Sequence, residues 1–345
     1  MSSIIYDDIG SYPLPEGVSR DWLQVQFEND PDNEKLKSVV SDVFRQKIDA
    51  GVEVPTYPQL RDMNNQFLSI IKDPGCCDEP FRVREEAAVI AELEMIEQAA
   101  LLYYQQTGER PDIRICVTGP VELYLQEFGS SEYTDILNQL AESVNLFVKN
   151  AVRSARNFRV RTVSIDEPSI GINSQIMFDN PHIIDALTAS GDYASRNNID
   201  VEIHLHSPLH YELACQAESI NVIGIESAAS PSYFELIDKN ILEKWDSFLR
   251  VGIARTDISN LGAILNEKHS MNVWKNPSML QEIVTGMETP SVIAKRLERA
   301  YSLFDERIKY AGPDCGLGSW PSQEIAFNLL SNVAKGITEF RKTMK

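Results

Sequence analysis

Four places in the sequence carry side chains that can bind a metal, grip a charge or move a proton. Asp166-Glu167 follows the apolar run Thr162–Ile165 and precedes Pro168. A carboxylate there can bind an ammonium group or accept a proton, and it can equally cap a helix or shape a turn. A buried acid needs a paired cation or a hydrogen-bond donor in either case. Asp166 is the better candidate for chemistry, while Glu167 is expected to face the structure or close an ion pair. His204 and His206 stand two residues apart in Ile203-His204-Leu205-His206 and so share one face of a strand. Structural hydrogen bonding and a metal or catalytic role both suit such a pair. His206, nearer the strand end, is the better ligand, and His204 the better residue to stand behind one. Glu226 closes the run Val222–Glu226, and Cys315 lies within Gly312-Pro313-Asp314-Cys315-Gly316-Leu317-Gly318. His206, Glu226 and Cys315 offer nitrogen, oxygen and sulfur donors, a set that can hold zinc with an open position for substrate. Their long spacings make the signal weaker than a local C-x-x-C pair.

These residues must be brought together by elements distant in sequence. Short β-branched runs, expected as strands, occur at Ile4–Ile9, Val52–Thr56, Ile113–Val117, Thr162–Ile165, Val201–His206, Val222–Glu226, Leu249–Ala254 and Arg307–Ala311. Several are apolar throughout, as in a parallel sheet covered by helices. Between them, Val83–Gln106 is rich in helix formers. Tyr133–Ala155 spaces Leu137, Leu140, Val144, Phe147 and Val148 along one helical face, Pro181 opens a helix reaching Ala194, and Ser322–Phe340 is amphipathic. Eight strands alternating with helices predict a (β/α)8 barrel with inserted loops. Polar residues gather where the strands finish: Asp8 and Ser11, Asp62, Thr118, Asp166 and Glu167, His204 and His206, Glu226, Asp257, Asp314 and Cys315. Strand ends converge at a barrel mouth, so one site is expected there. An open doubly wound sheet is the rival architecture, weakened because the first strand runs into Ile9-Gly10-Ser11-Tyr12-Pro13 rather than G-x-G-x-x-G.

The chain has 345 residues, 43% of them hydrophobic and 24% charged, enough for one large core. Fifty-one acidic against 32 basic residues give a formal net charge of -19, which opposes nonspecific binding to nucleic acid or anionic lipid. Five cysteines in no regular framework favour a reducing compartment, with Cys76-Cys77 read as loop thiols. The first residues show no signal-peptide pattern, and no run is long and apolar enough to span a membrane. A cytoplasmic location is expected.

Seven of these segments resemble, in order, a known family: Ile9-Gly10-Ser11-Tyr12-Pro13, Arg61-Asp62-Met63, Thr118-Gly119-Pro120-Val121, Asp166-Glu167-Pro168, His204-Leu205-His206, Ile225-Glu226-Ser227 and Pro313-Asp314-Cys315-Gly316-Leu317. They are similar to the catalytic half of cobalamin-independent methionine synthase and its smaller single-barrel relatives. The resemblance implies a TIM-type (β/α)8 barrel, of the superfamily that also holds uroporphyrinogen decarboxylase, as a single catalytic domain over residues 1–345. The extra N-terminal barrel of the long enzymes is expected to be absent.

In that family a zinc ion binds the homocysteine sulfur and makes a thiolate that attacks a methyl group. The resemblance assigns His206, Glu226 and Cys315 as zinc ligands. The family's other cysteine, two residues after the histidine, is replaced here by Pro208, and His210 or Cys215 are substitutes to consider. Asp166 matches the aspartate that grips the substrate ammonium, and Ser11 a serine that contacts substrate. A second family carboxylate corresponds to Tyr57, which can donate a hydrogen bond but carries no charge at neutral pH. The tryptophan that stacks on the pterin in the folate-dependent enzymes corresponds to Gln126, with Tyr124 and Phe128 nearby as stacking or core residues. Trp320 stands where the family more often has a basic residue, as pocket lining or loop anchor.

The implied function is a methyltransferase acting on a small thiol, homocysteine first, in methionine biosynthesis. Asp166 and His206 would be catalytic, with Ser11, Tyr57, Asp166, Glu167 and Gln126 binding substrate. Methylcobalamin, a methylated corrinoid protein or a methylated pterin would be the donor. The alternatives are a related barrel enzyme acting on another thiol or alkyl compound, and a noncatalytic ligand-binding relative.

Overall fold

The computed structural model describes residues 4–344. Their contacts sort them into two compact units. The first comprises the chain through Leu60, Glu226–Pro231 and the chain from Val251 onward; the second comprises Arg61–Ile225 and Ser232–Arg250.

In the first unit, strand β1 (Ile5–Tyr6) pairs in parallel with strand β9 (Ile308–Pro313), Ile5 opposite Tyr310 and Tyr6 opposite Ala311. Beyond β1 the chain continues in single parallel bridges, Asp7 to Val54 and Ser11 to Gln59. The expected strand Val52–Thr56 is thus reduced to bridges. Pro55 and Pro58 each remove a backbone donor from Val54-Pro55-Thr56-Tyr57-Pro58-Gln59, so a regular ladder cannot form there. A buried charge fixes this corner instead. Lys47, on the helix Glu34–Asp49, lies 2.7 Å from Asp8 and donates to the carbonyls of Gly10 and Thr56. Asp8 in turn accepts the Thr56 N–H at 2.7 Å. These three oxygens come from the β1 end and from the segment beside it.

The second unit is built on four strands: β4 (Asp112–Thr118), β5 (Arg159–Asp166), β6 (Asp200–Leu205) and β7 (Val222–Ile225), each parallel to the next. Their helix-facing residues, among them Ile115, Val117, Val163, Ile165 and Ile203, are fully buried. The helix Thr134–Ser154 buries Leu137, Leu140, Val144, Phe147 and Val148 as its periodicity requires, each worth on the order of 1.5–3 kcal/mol. The expected helix Val83–Gln106 starts only at Ala91. Residues before it form an antiparallel hairpin of β2 (Cys77–Glu79) and β3 (Arg82–Val83), then a single turn at Glu85–Ala87. Tertiary partners override local helix propensity here: Ser143 accepts the Val83 N–H, and Lys149 and Arg153 draw Glu85 outward.

The seven-stranded sheet runs β1-β9-β8-β7-β6-β5-β4, with β8 at Phe248–Ala254. The first strand pairs with the last and the rest follow in chain order. That order is barrel connectivity; a doubly wound sheet would place its first strand centrally with a reversal of order. The fold is a TIM-type (β/α)8 barrel whose second strand is the bridged segment around Val54. No helix among the described residues is long and apolar enough to cross a membrane.

Removing one member of a buried ion pair strands the other, at about 3–5 kcal/mol. Lys47→Ala should therefore lower the unfolding free energy by about that amount in a urea titration. A loss below about 1 kcal/mol would show that Asp8 is satisfied without the ammonium.

Candidate active site

The strands β4, β5 and β6 present an unusually polar face. Register sets Cys116 opposite Ser164 and Glu202, and Thr118 opposite Asp166 and His204. Arg114 stands one step below, fully buried, donating to Glu202 at 2.9 Å and to Ser164 at 2.5 Å. Above it Asp166, almost fully buried, accepts from Ser164 Oγ and from Cys116 Sγ, both at 2.7 Å. Two neutral donors thus aim its carboxylate without neutralising it. Burial pushes the Cys116 thiol well up, and Asp166 adds to that, so this sulfur stays a thiol and a donor.

His204 is buried on the same face, and His206, half-buried, follows it with ring centroids 5.4 Å apart and planes near perpendicular. Burial holds His204 well below the ordinary imidazole range, helped by His206, Arg250 and Arg114. Burial also lowers His206, opposed by the carboxylates of Asp166 and Glu122. Both rings are held neutral, the form that ligates a metal.

Glu167 turns away from Asp166. Its two oxygens accept the N–H groups of Val121 (2.9 Å) and Glu122 (2.8 Å) at the start of the helix Pro120–Phe128. Gly119 makes this possible, since a Cβ there would lie 2.2 Å from Glu167 Oε1. Burial pushes Glu167 up to about 8 despite the pull of the two amides. The side chain acts as a helix cap.

In the first unit Asp314, buried, accepts the N–H groups of Ala228 (2.8 Å) and Ala229 (2.7 Å), so it ties the loop after Glu226 to the residue before Cys315. Gly252 leaves the room, because a Cβ there would fall 1.8 Å from Asp314 Oδ1. The Cys315 N–H donates to Thr256 Oγ1, and the Trp320 indole donates to the Thr256 carbonyl. Trp320 is a loop anchor. Ser11 holds the same loop from the other side: its carbonyl accepts from Leu317 and its hydroxyl from Gly318.

One donor atom from each of His204, His206, Glu226 and Cys315 lies within 4.8 Å of the others, a set able to hold a metal ion. This group contains the three ligands expected from the sequence and adds His204, which the sequence reading had placed behind them. His210 and Cys215 are not in it. His210 takes a left-handed backbone (φ 68°) ahead of the helix Tyr211–Gln216, and Cys215 is buried on that helix with its thiol pushed up to about 11 by burial. Tyr57 is fully buried, Gln126 is exposed on its helix, and Tyr124 is core, packed edge-on to Phe178 at 4.7 Å.

Several strand-end acids serve the scaffold. Asp62 caps the helix Met63–Ile71, Asp257 pairs with Arg255, and Asp8 pairs with Lys47. Sequence reasoning passed over Glu122, Ser164 and Cys116. Cys116 and Ser164 had a legible signal, alternating register with Asp166 on adjacent strands.

No family model matches the chain. It is 22% identical over 355 aligned residues to a methionine synthase of Saccharolobus solfataricus, covering 98% of this chain and 95% of that one. It has the same identity and coverage of itself with a methionine synthase of Pyrococcus abyssi, covering 93% of that protein. Among solved structures it superposes on a B12-independent methionine synthase from Shewanella, determined with selenomethionine, with a TM-score of 0.62 at 12% identity over 99% of both chains. The fold is therefore shared with that enzyme.

A carboxyl raised from 4.5 in the unfolded chain to about 8 in the folded one stays protonated when folded while the unfolded chain has lost its proton. Its contribution is full below 4.5 and lost as pH rises towards about 8, with a slope of up to about 1.4 kcal/mol per pH unit. Glu167→Gln, uncharged at every pH, should flatten that slope in denaturant titrations across the window. An unchanged slope would mean that the two amides keep Glu167 ionised.

Proposed function

From this kinship with the cobalamin-independent methionine synthase family we propose that the protein is a methyltransferase that passes a methyl group to a small thiol, with homocysteine, giving methionine, as the first choice. The observation that carries the reading is the donor set of His204, His206, Glu226 and Cys315 within 4.8 Å. Mixed nitrogen, oxygen and sulfur donors suit zinc, and His204 takes the place left by the sulfur missing at Pro208. Residues 1–345 would act as one catalytic domain, in the cytoplasm.

A zinc ion held there would supply a Lewis acid that lowers the pKa of the substrate thiol. The remaining work falls to the protein. Asp166, aimed by Ser164 and Cys116, grips a cationic group of the acceptor and fixes its distance from the methyl donor. Ser11 and Cys315 are positioned by the Gly316–Gly318 loop. Glu167 acts on substrate through the helix it caps, which carries Gln126. The acceptor sulfur bonds to the methyl carbon in line, and the bond from that carbon to its carrier breaks with its electron pair left on the carrier.

Gln126 stands where the folate-using relatives carry a stacking tryptophan, which favours methylcobalamin or a methylated corrinoid protein as donor over a methylated pterin. A second reading, a related enzyme acting on another thiol or alkyl compound, draws on Tyr57 in place of a family carboxylate.

Purified protein should hold about one zinc per chain and demethylate methylcobalamin when homocysteine is supplied. Loss of an outer-shell partner alone lowers metal affinity about 10–100-fold, so Cys315→Ala should weaken zinc by about 100-fold or more in chelator competition. A folded, zinc-supplied sample showing neither metal nor transfer would sink the mechanism.

A further inference from the structure

Glu122 is the second residue of the helix Pro120–Phe128. An acid in a first helical turn is favoured by the macrodipole alone, but this one is held for more than that. Its carboxylate accepts from Ser169 Oγ at 2.5 Å and from Asn64 Nδ2 at 3.3 Å. Ser169 stands three residues beyond Asp166, and Glu167 between them accepts the Glu122 N–H. The turn Asp166–Ser169 thus grips Glu122 by both main chain and side chain, and holds a second carboxylate at the turn that Asp166 opens. The field of both acids reaches His206 and Glu167.

Neither acid is neutralised from within. The donors on Asp166 are a hydroxyl and a thiol; those on Glu122 are a hydroxyl and an amide. Among the described residues neither carboxylate forms an ion pair, although acids close by do, Glu92 with Arg61 and Glu127 with Lys72. Two partly or wholly buried carboxylates beside a ligand site, each oriented by neutral groups, leave a deficit that a cation in the ligand can fill.

We propose that Glu122 is a specificity-determining residue, forming with Asp166 a carboxylate pair that selects thiols bearing an ammonium group. The proposal rests on the thiol-binding reading of the site and narrows it to amino thiols. It also accounts for the uncharged Tyr57, since the second negative charge comes from a different element.

The test is calorimetric binding of L-homocysteine and of its desamino analogue 4-mercaptobutyrate to zinc-supplied, full-length protein, for the natural chain and for Glu122→Gln. Glutamine keeps an acceptor for Ser169 or Asn64 and removes only charge; equal melting temperatures would verify the fold. The natural chain should prefer homocysteine by at least about tenfold. Glu122→Gln should lose about tenfold for homocysteine while binding 4-mercaptobutyrate unchanged, a difference of about one decade in Kd. Equal binding of both thiols by the natural chain would overturn the proposal and leave the thiol reading standing. So would an equal loss for both thiols in the variant, or none for either. Failure of the natural chain to bind either thiol would overturn both.

Discussion

The polar face of the sheet depends on a charge buried within it. Arg114 projects from the middle of its strand to the polar face, fully buried, and cannot shed its proton there. Glu202, two strands away and 2.9 Å from it, makes the burial tolerable. An apolar layer of branched side chains is the usual filling of such a barrel and would have been easier to stabilise, since buried ion pairs seldom beat well-packed hydrocarbon. What the pair provides is orientation. Arg114 donates to Ser164, Ser164 donates to Asp166, and Asp166 receives a second bond from Cys116. The carboxylate at the top is set by a chain of bonds that starts at the guanidinium, and burial keeps His204 neutral, with a smaller push from the same positive charge.

Above this layer, loops are pinned by acids that accept backbone amides. Glu167 caps one helix and Asp314 ties two loops, each by a pair of backbone amides and each opposite a glycine that clears its path. A carboxylate that accepts two amides fixes two φ/ψ neighbourhoods at once, so a ligand on the tied loop has little freedom. That is how Glu226 and Cys315, distant in sequence, come to sit on loops with defined geometry.

This division explains what could be read from the chain. Strands β4 to β9 and the long helix Thr134–Ser154 announce themselves because burial imposes a period on hydrophobic residues. The corner around Val54 does not, because its form is set by two prolines and by Lys47, a residue whose role depends on oxygens as far back as Asp8 and Gly10. Likewise His206, Glu226 and Cys315 were legible from donor chemistry and order. Which donors an acid at a strand end would meet was not legible: Asp166 and Asp314 look alike in sequence, and only the structure shows side-chain donors for one and main-chain amides for the other.

The donor set draws on the chain before His206 and not on the loop after it. Proline at position 208 offers no side-chain donor, and the loop beyond it turns into a short helix, carrying Cys215 into the core and leaving His210 outside the donor set. The fourth donor comes from the opposite direction along the chain, from His204 two residues before His206, where a strand already fixes the spacing. With two neutral imidazoles, the set would bring a metal two negative charges, one each from Glu226 and an ionised Cys315. Those two balance a dication, whereas a second thiolate would leave an excess. A metal held this way would be a stronger electron acceptor towards an incoming sulfur and would give up less of its own ligand charge to it. The carboxylates of Asp166 and Glu122, whose field reaches His206, lie outside the donor set.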